Sequence, residues 1–132
     1  MLFNGEVAVV TGGAQGIGKA IVEELGREGA VAAILDIQDE KGEAAAASIR
    51  EEGREASFFH CDVSRPAEIE NTIAQVLEKY GRLDILVNNA GIVEIHTPET
   101  ITEEQYRRVM AVSIDGTVFG CKHAIAAMKK SG

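Results

Sequence analysis

Four short stretches of the chain are almost wholly apolar, and each leads into a longer stretch with helical spacing of apolar residues. The first is Val7-Ala8-Val9-Val10, followed by Ile17, Ile21 and Leu25, four residues apart on one helical face. Gly29 closes that helix, and Val31-Ala32-Ala33-Ile34-Leu35 predicts a second buried strand. Residues 39–52 predict a second helix, in which the alanine run Ala44 to Ala47 suits close packing on a sheet and Gly53 provides the stop. Residues 55–61 predict a third strand, with Phe58 and Phe59 inside a β-favouring run. Ser64 is placed to cap the next helix, and Pro66 falls in its first turn, where no intrahelical donor is lost. Ile69, Ile73, Val76, Leu77 and Tyr80 give that helix an apolar stripe, and Gly81 ends it. Leu83 to Val87 predicts the fourth strand. Thr102 to Gln105 reads as a capping box for a further helix. A last helix is predicted from about 113 to 130, with Val118, Cys121, Ile125 and Met128 on one face and Lys129 and Lys130 at the negative end of its dipole.

The order is therefore β-α-β-α-β-α-β-α-α. Strands that are continuous apolar runs, rather than alternating ones, are covered on both faces. The pattern predicts one α/β domain over residues 1–132: a doubly wound parallel sheet with helices on both sides and right-handed crossovers.

The turn between the first strand and its helix is Thr11-Gly12-Gly13-Ala14-Gln15-Gly16-Ile17-Gly18. Glycines let the backbone turn tightly and approach a ligand, and the first turn of the helix presents free N–H groups and a positive dipole end to an anion. The spacing is Gly-x-x-x-Gly-x-Gly, not the commoner Gly-x-Gly-x-x-Gly, and such a cluster also occurs as an ordinary strand-to-helix turn. Asp36 narrows the choice. It ends the second strand 18 residues past Gly18, close to where a dinucleotide site holds the adenosine ribose hydroxyls. A carboxylate there accepts hydrogen bonds from a diol and repels a 2′-phosphate. Neither Gln15 nor Ile37 supplies a cation for that phosphate, so the expected cofactor is NAD rather than NADP. Taken alone, Asp36 could simply cap the next helix.

Charge and composition remove other classes. The net charge is −8, which disfavours nucleic acid and anionic membranes, both of which select a basic face. No apolar run approaches the roughly 20 residues of a membrane span. Met1 to Glu6 lead straight into the first strand, so no signal peptide is expected. Cys61 and Cys121 fit no metal or redox spacing, and two free thiols in an acidic chain point to a reducing cytoplasm.

These residues resemble the classical short-chain dehydrogenases/reductases. Thr11-Gly12-x-x-x-Gly16-x-Gly18 is similar to that family's cofactor turn, Asp62-Val63 after the third strand to its adenine-binding pair, and Asn88-Asn89-Ala90-Gly91 after the fourth to its Asn-Asn-Ala-Gly signature. The resemblance runs from about Leu2 to Gly132. It implies a Rossmann-type fold and a cofactor site formed by Gly12, Gln15, Gly16, Ile17, Gly18, Asp36, Ile37, Asp62, Val63, Asn89, Ala90 and Gly91. In it, Asp62 accepts from the adenine amino group, the Val63 N–H donates to a ring nitrogen, and Asn89 lies beside the ribose. Asp62 could equally cap a helix, and the asparagines could tie loops together.

The resemblance also implies a catalytic Asn, Ser, Tyr and Lys, and here the chain departs from it. Tyr80 is followed four residues on by Asp84 and Tyr106 by Met110, so these 132 residues contain no Tyr-x-x-x-Lys. Ser113 stands where the family usually has its asparagine; it either serves the proton relay through rearranged water or merely starts a helix. His60 and His96 read as solvated residues, His123 as a surface residue or a subunit contact, and Cys61 as core. Two readings follow. One is the N-terminal, NAD-binding half of an oxidoreductase that moves hydride between a secondary alcohol or ketone and NAD. The other is a non-catalytic NAD-binding or interaction module ending at Gly132. The uncovered fourth strand and the apolar face of the last helix predict a homo-oligomer.

Overall fold

The computed structural model describes residues 1–92 and 94–131. Strand β1 (Val7–Thr11) lies inside a four-stranded parallel sheet, flanked by β2 (Val31–Asp36) on one side and β4 (Ile85–Val87) on the other, with β3 (Ala56–His60) beyond β2. Val9 pairs with Ala33 across one ladder and with Leu86 across the other. Helices α1 (Gly16–Arg27), α2 (Asp39–Glu51) and α3 (Pro66–Tyr80) are the crossovers. After β4 come α4 (Glu103–Met110), a π-helical turn (Ala111–Asp115) and α5 (Gly116–Ser131).

The two sheet faces bury two separate cores, because alternate residues of a strand point to opposite sides. Val7, Val9, Ala33 and Leu35 pack with Ile69, Ile73 and Val76 of α3 and with Ala124 and Ala127 of α5. Val10, Ala32 and Ile34 pack with Val22 of α1 and with Ala45, Ala46 and Ile49 of α2. This is the doubly wound arrangement that the element order predicts, and the alanines of α2 are where the sheet comes close.

Four local expectations change. β4 covers only Ile85–Val87 and is half-buried, because among the described residues it forms one edge of the sheet and pairs on one side alone. Arg65, not Ser64, precedes α3, and the Ser64 hydroxyl donates instead to Asp62 Oδ1 at 2.6 Å. Ile17 does not join the core: it is 76% exposed, and α1 is seated by Gly18, Val22 and Gly26. In α5 the buried positions are Gly116, Gly120, Ala124 and Ala127, whereas Val118 and Ile125 are more than half exposed. Small residues let α5 lie close to the strand ends, and its larger apolar residues turn outward. The capping box at Thr102 is formed in full, with Gln105 N donating to Thr102 Oγ1 at 3.1 Å and Thr102 N to Gln105 Oε1 at 2.9 Å.

One half-buried carboxylate ties the start of the sheet together. Asp84 Oδ2 accepts from Val7 N at 2.8 Å and from Arg82 Nε at 2.7 Å, and Oδ1 accepts from Arg82 Nη2 at 2.7 Å. The Arg82 guanidinium holds the Asp84 carboxyl below its ordinary value of 3.8. A carboxylate depressed on folding stabilises the fold above its unfolded pKa, and that contribution is lost as pH falls through the folded value. Asp84→Ala leaves the buried Val7 N–H without its acceptor and is expected to cost about 1–3 kcal/mol at neutral pH. Urea unfolding of both proteins at pH 7, and again below the carboxylate range, checks this: the difference should be large at pH 7 and shrink in acid.

Candidate functional site

The carboxyl ends of β1, β2 and β4 open into one cavity of ≈ 420 Å³. Thr11, the last residue of β1, directly precedes the lining residue Gly12. Its Oγ1 accepts from Asn89 N and Ala90 N, both at 3.0 Å, so the strand end and the segment after β4 are joined through one hydroxyl. The chain then turns at Gly12, where φ is +66°, and Gly12 N donates to Leu35 O at 2.7 Å. A positive φ of this kind favours glycine. Asn89 Nδ2 donates to Gly12 O at 3.1 Å, closing a triangle between the glycine turn and the end of β4.

Gly18 completes the turn by contact. A Cβ added there would lie 2.1 Å from Gly12 O and 2.4 Å from Asn89 Nδ2. α1 can begin against this turn only because that atom is missing. Gln15, which precedes α1, caps none of its first N–H groups with its side chain. Those donors are left to solvent or to an anion.

Asp36 sits at the end of β2 and is 7% exposed. Its Oδ2 accepts from Ala14 N at 3.1 Å; its Oδ1 accepts from Gln38 N at 3.0 Å and, weakly, from Gln38 Nε2 at 3.4 Å. The carboxylate is thus fixed by the glycine turn on one side and by its own loop on the other. A carboxylate has about four acceptor positions, so capacity remains for a ligand hydroxyl. Ile37, 60% exposed, lies beside it on the cavity wall.

Asp62 and Val63 form the wall that follows β3. Asp62 Oδ1 accepts from Ser64 N at 3.0 Å and from the Ser64 hydroxyl, and Oδ2 lies 3.7 Å from Arg65 Nε. Asp62 therefore organises its loop and keeps Oδ2 as its freer acceptor. Cys61 lies beneath it, and burial pushes its thiol up to about 11, so it is a neutral, inert core side chain.

Of the twelve residues that the resemblance assigns to a cofactor, eleven line this cavity: Gly12, Gln15, Gly16, Ile17, Asp36, Ile37, Asp62, Val63, Asn89, Ala90 and Gly91. The twelfth, Gly18, supports it from behind. Ser113 stands apart. It lies in the π-helical turn with its Oγ near Gly91, while its neighbour Val112 reaches the cavity wall. The sequence predicts a new helix start here; instead α4 passes into α5 through a widened turn, of a kind often found at functional sites. Neither tyrosine reaches the cavity. Tyr80 pairs with the Ser57 hydroxyl at 2.5 Å, and Tyr106 is 51% exposed on α4. His60 is bonded to Asp39 at 2.6 Å, which raises its pKa, and it lies outside the lining. His96 meets Glu94, which is also paired with Arg108.

One residue at the rim escapes sequence reading. Lys41, in the first turn of α2, places Nζ 2.6 Å from Gln15 Oε1. The usable signal is its position five residues past Asp36 on a helix that starts at the cavity mouth.

Residues 6–132 match the family described as short chain dehydrogenase. The chain belongs to that family. Among its relatives, an uncharacterized oxidoreductase of Thermotoga maritima is 42% identical over all of this chain and 52% of its own length. Short-chain dehydrogenase reductase 3b of Arabidopsis thaliana is 39% identical over 98% of this chain and 50% of its own. Among solved structures, a double mutant of a Serratia marcescens short-chain dehydrogenase/reductase superposes with a TM-score of 0.94 at 31% identity, covering 97% of this chain and 53% of that one. The chain spans about half the length of the curated relatives it matches. The four parallel strands and flanking helices are a Rossmann-type fold, and the family depends on a nicotinamide cofactor, NAD or NADP. Among the described residues, no helix is long and apolar enough to cross a membrane.

Proposed function

We infer that the cavity holds the adenosine end of NAD, and that the chain is the cofactor-binding portion of an oxidoreductase acting between a secondary alcohol and a ketone. The observation that carries this reading is Asp36: a buried carboxylate, fixed by Ala14 N and Gln38 N, on the wall of a cavity that opens at the glycine turn. Its remaining acceptor capacity suits a ribose diol, and its charge opposes a 2′-phosphate. Gly12 to Gly18 would hold the pyrophosphate, Asp62 and Val63 the adenine, and Asn89 to Gly91 the ribose beyond it. When bound, the cofactor supplies the hydride chemistry. The protein's part is to fix the adenosine half and keep it in register with the strand ends. Calorimetric titration with NAD and NADP tests the reading. Saturable binding that favours NAD supports it; tighter NADP binding overturns the role given to Asp36.

The 132 residues on their own are expected to give no turnover. No Tyr-x-x-x-Lys is present, Tyr80 is bound to Ser57 away from the cavity, and general acid–base help is worth roughly 10²–10⁴ in rate. NADH absorbance with a panel of secondary alcohols checks this. Turnover that disappears in Asp36→Ala contradicts it. The same absence favours, for this stretch alone, the second reading as a non-catalytic NAD-binding or interaction module.

Self-association belongs to the same reading. Tyr106, Ile114, Val118 and Ile125 leave about half of each side chain exposed along α4, the π-helical turn and α5, and β4 is a sheet edge. Apolar stripes and open edges are ordinarily covered. Light scattering after size exclusion is expected to give at least a dimer. A stable 14.1 kDa monomer across a wide concentration range contradicts this.

A further inference from the structure

The rim of the cavity next to Asp36 carries a positive charge that the cofactor reading does not use. Lys41 Nζ reaches across from α2 to Gln15 Oε1 at 2.6 Å, and Gln15 is itself a lining residue together with Asp36, Ile37 and Gln38. Among the described residues, the Lys41 ammonium forms no ion pair. Asp39, two residues before it in the same helical turn, is occupied by His60 at 2.6 Å. The partner of Lys41 is thus a neutral amide oxygen, so only the donor side of this bond is charged, and it is exchanged favourably for an ion pair when an anionic oxygen arrives.

We propose that Lys41 is a specificity-determining residue of the cofactor cavity: its ammonium leaves Gln15 to receive a 2′-phosphate, so that NADP is accepted as a second, weaker cofactor. The proposal rests on the reading of the cavity given above and changes one part of it, the steepness of the discrimination. Asp36 sets the sign, because its carboxylate is buried and held in place by Ala14 N and Gln38 N. It cannot swing away from a phosphate without giving up those bonds. Lys41 sets the size, because its side chain is long, its present bond is to a neutral group, and its charge offsets that of Asp36 for a phosphate at the rim. For NAD, whose ribose carries only hydroxyls there, the ammonium has no anion to meet and stays on Gln15. Lys41 therefore acts on one cofactor and leaves the other nearly untouched.

The test is calorimetric titration of the 132-residue chain with NAD, NADP and adenosine 2′,5′-bisphosphate at low salt, for the native protein, Lys41→Met and Lys41→Arg. Lys41→Met is expected to weaken NADP and the bisphosphate about three- to fivefold, the size of one partly exposed charge pair, with NAD changed less than about twofold. Lys41→Arg is expected to restore phosphate binding. Raising the salt should shrink the gap between native protein and Lys41→Met for NADP and leave it unchanged for NAD. An unaltered NADP to NAD ratio in Lys41→Met, or equal loss for both, overturns the role of Lys41 and leaves the cavity reading standing. Absence of any nucleotide binding by the native chain overturns the cavity reading, and the proposal with it. Melting temperatures of the variants, expected to match the native value, separate a lost contact from a damaged fold.

Discussion

Gly18→Ala is expected to abolish tight nucleotide binding and to weaken the fold. The alanine methyl would stand 2.1 Å from Gly12 O and 2.4 Å from Asn89 Nδ2, well inside van der Waals contact. Gly12 O is backbone and cannot step aside as a side-chain tip can. It is held by Asn89 Nδ2 at 3.1 Å, while Gly12 N is bonded to Leu35 O. Relief requires α1 to retreat from the turn, which pulls Val22 from the core it shares with Val10 and Ile34. Overpacking of this order costs about 1–3 kcal/mol. The same retreat moves the first-turn N–H groups away from the phosphate position, so a loss of at least about tenfold in NAD affinity is expected beyond the loss in stability. Urea midpoints and calorimetric titration measure the two effects separately. Unchanged values of both would show that the turn is looser than its contacts imply.

Asp36→Asn is expected to give the second-largest effect, and in a different direction for each cofactor. The substitution keeps the shape but removes the charge. A hydrogen bond to a charged group is worth about 1.5–3 kcal/mol, so NAD affinity should fall by roughly tenfold or more. NADP loses its repulsion at the same time and should bind no worse than before, or better. The preference for NAD should narrow sharply or invert. Asparagine has one acceptor oxygen where aspartate has two, so either Ala14 N or Gln38 N gives up its partner, and a modest drop in melting temperature accompanies the change. Parallel loss of NAD and NADP affinity would show that Asp36 only braces the glycine turn.

The fold was legible where apolar runs and helix signals were dense. Strands β1 and β2, the crossovers α1 to α3 and the capping box at Thr102 lie within a residue or two of their predicted bounds, because strand burial on both faces and glycine stops are local properties of the chain. The errors come from packing that acts at a distance. β4 is short because, among the described residues, only β1 pairs with it. α5 turns its smallest residues inward because Gly120 must pass Asn88, where an added Cβ would lie 2.5 Å from Oδ1. No periodicity of large apolar residues could reveal that. The cavity lining was readable as a set of residue types at strand ends. Its wiring was not: the Thr11 hydroxyl joining β1 to Asn89 and Ala90, the two-sided hold on Asp36 and the reach of Lys41 to Gln15 all join residues at least 22 positions apart or depend on side-chain direction.

Occupation of the strand-end cavity by the adenosine half of NAD is measured most directly, residue by residue, by nuclear magnetic resonance titration of the ¹⁵N-labelled chain with NAD. Saturable shifts are expected at the amides of Gly12 to Gly18, Asp36 to Gln38, Asp62 to Val63 and Asn89 to Gly91, with little change along Val118 to Met128. Shifts centred on the exposed face of α5, or none at all at millimolar NAD, would contradict it.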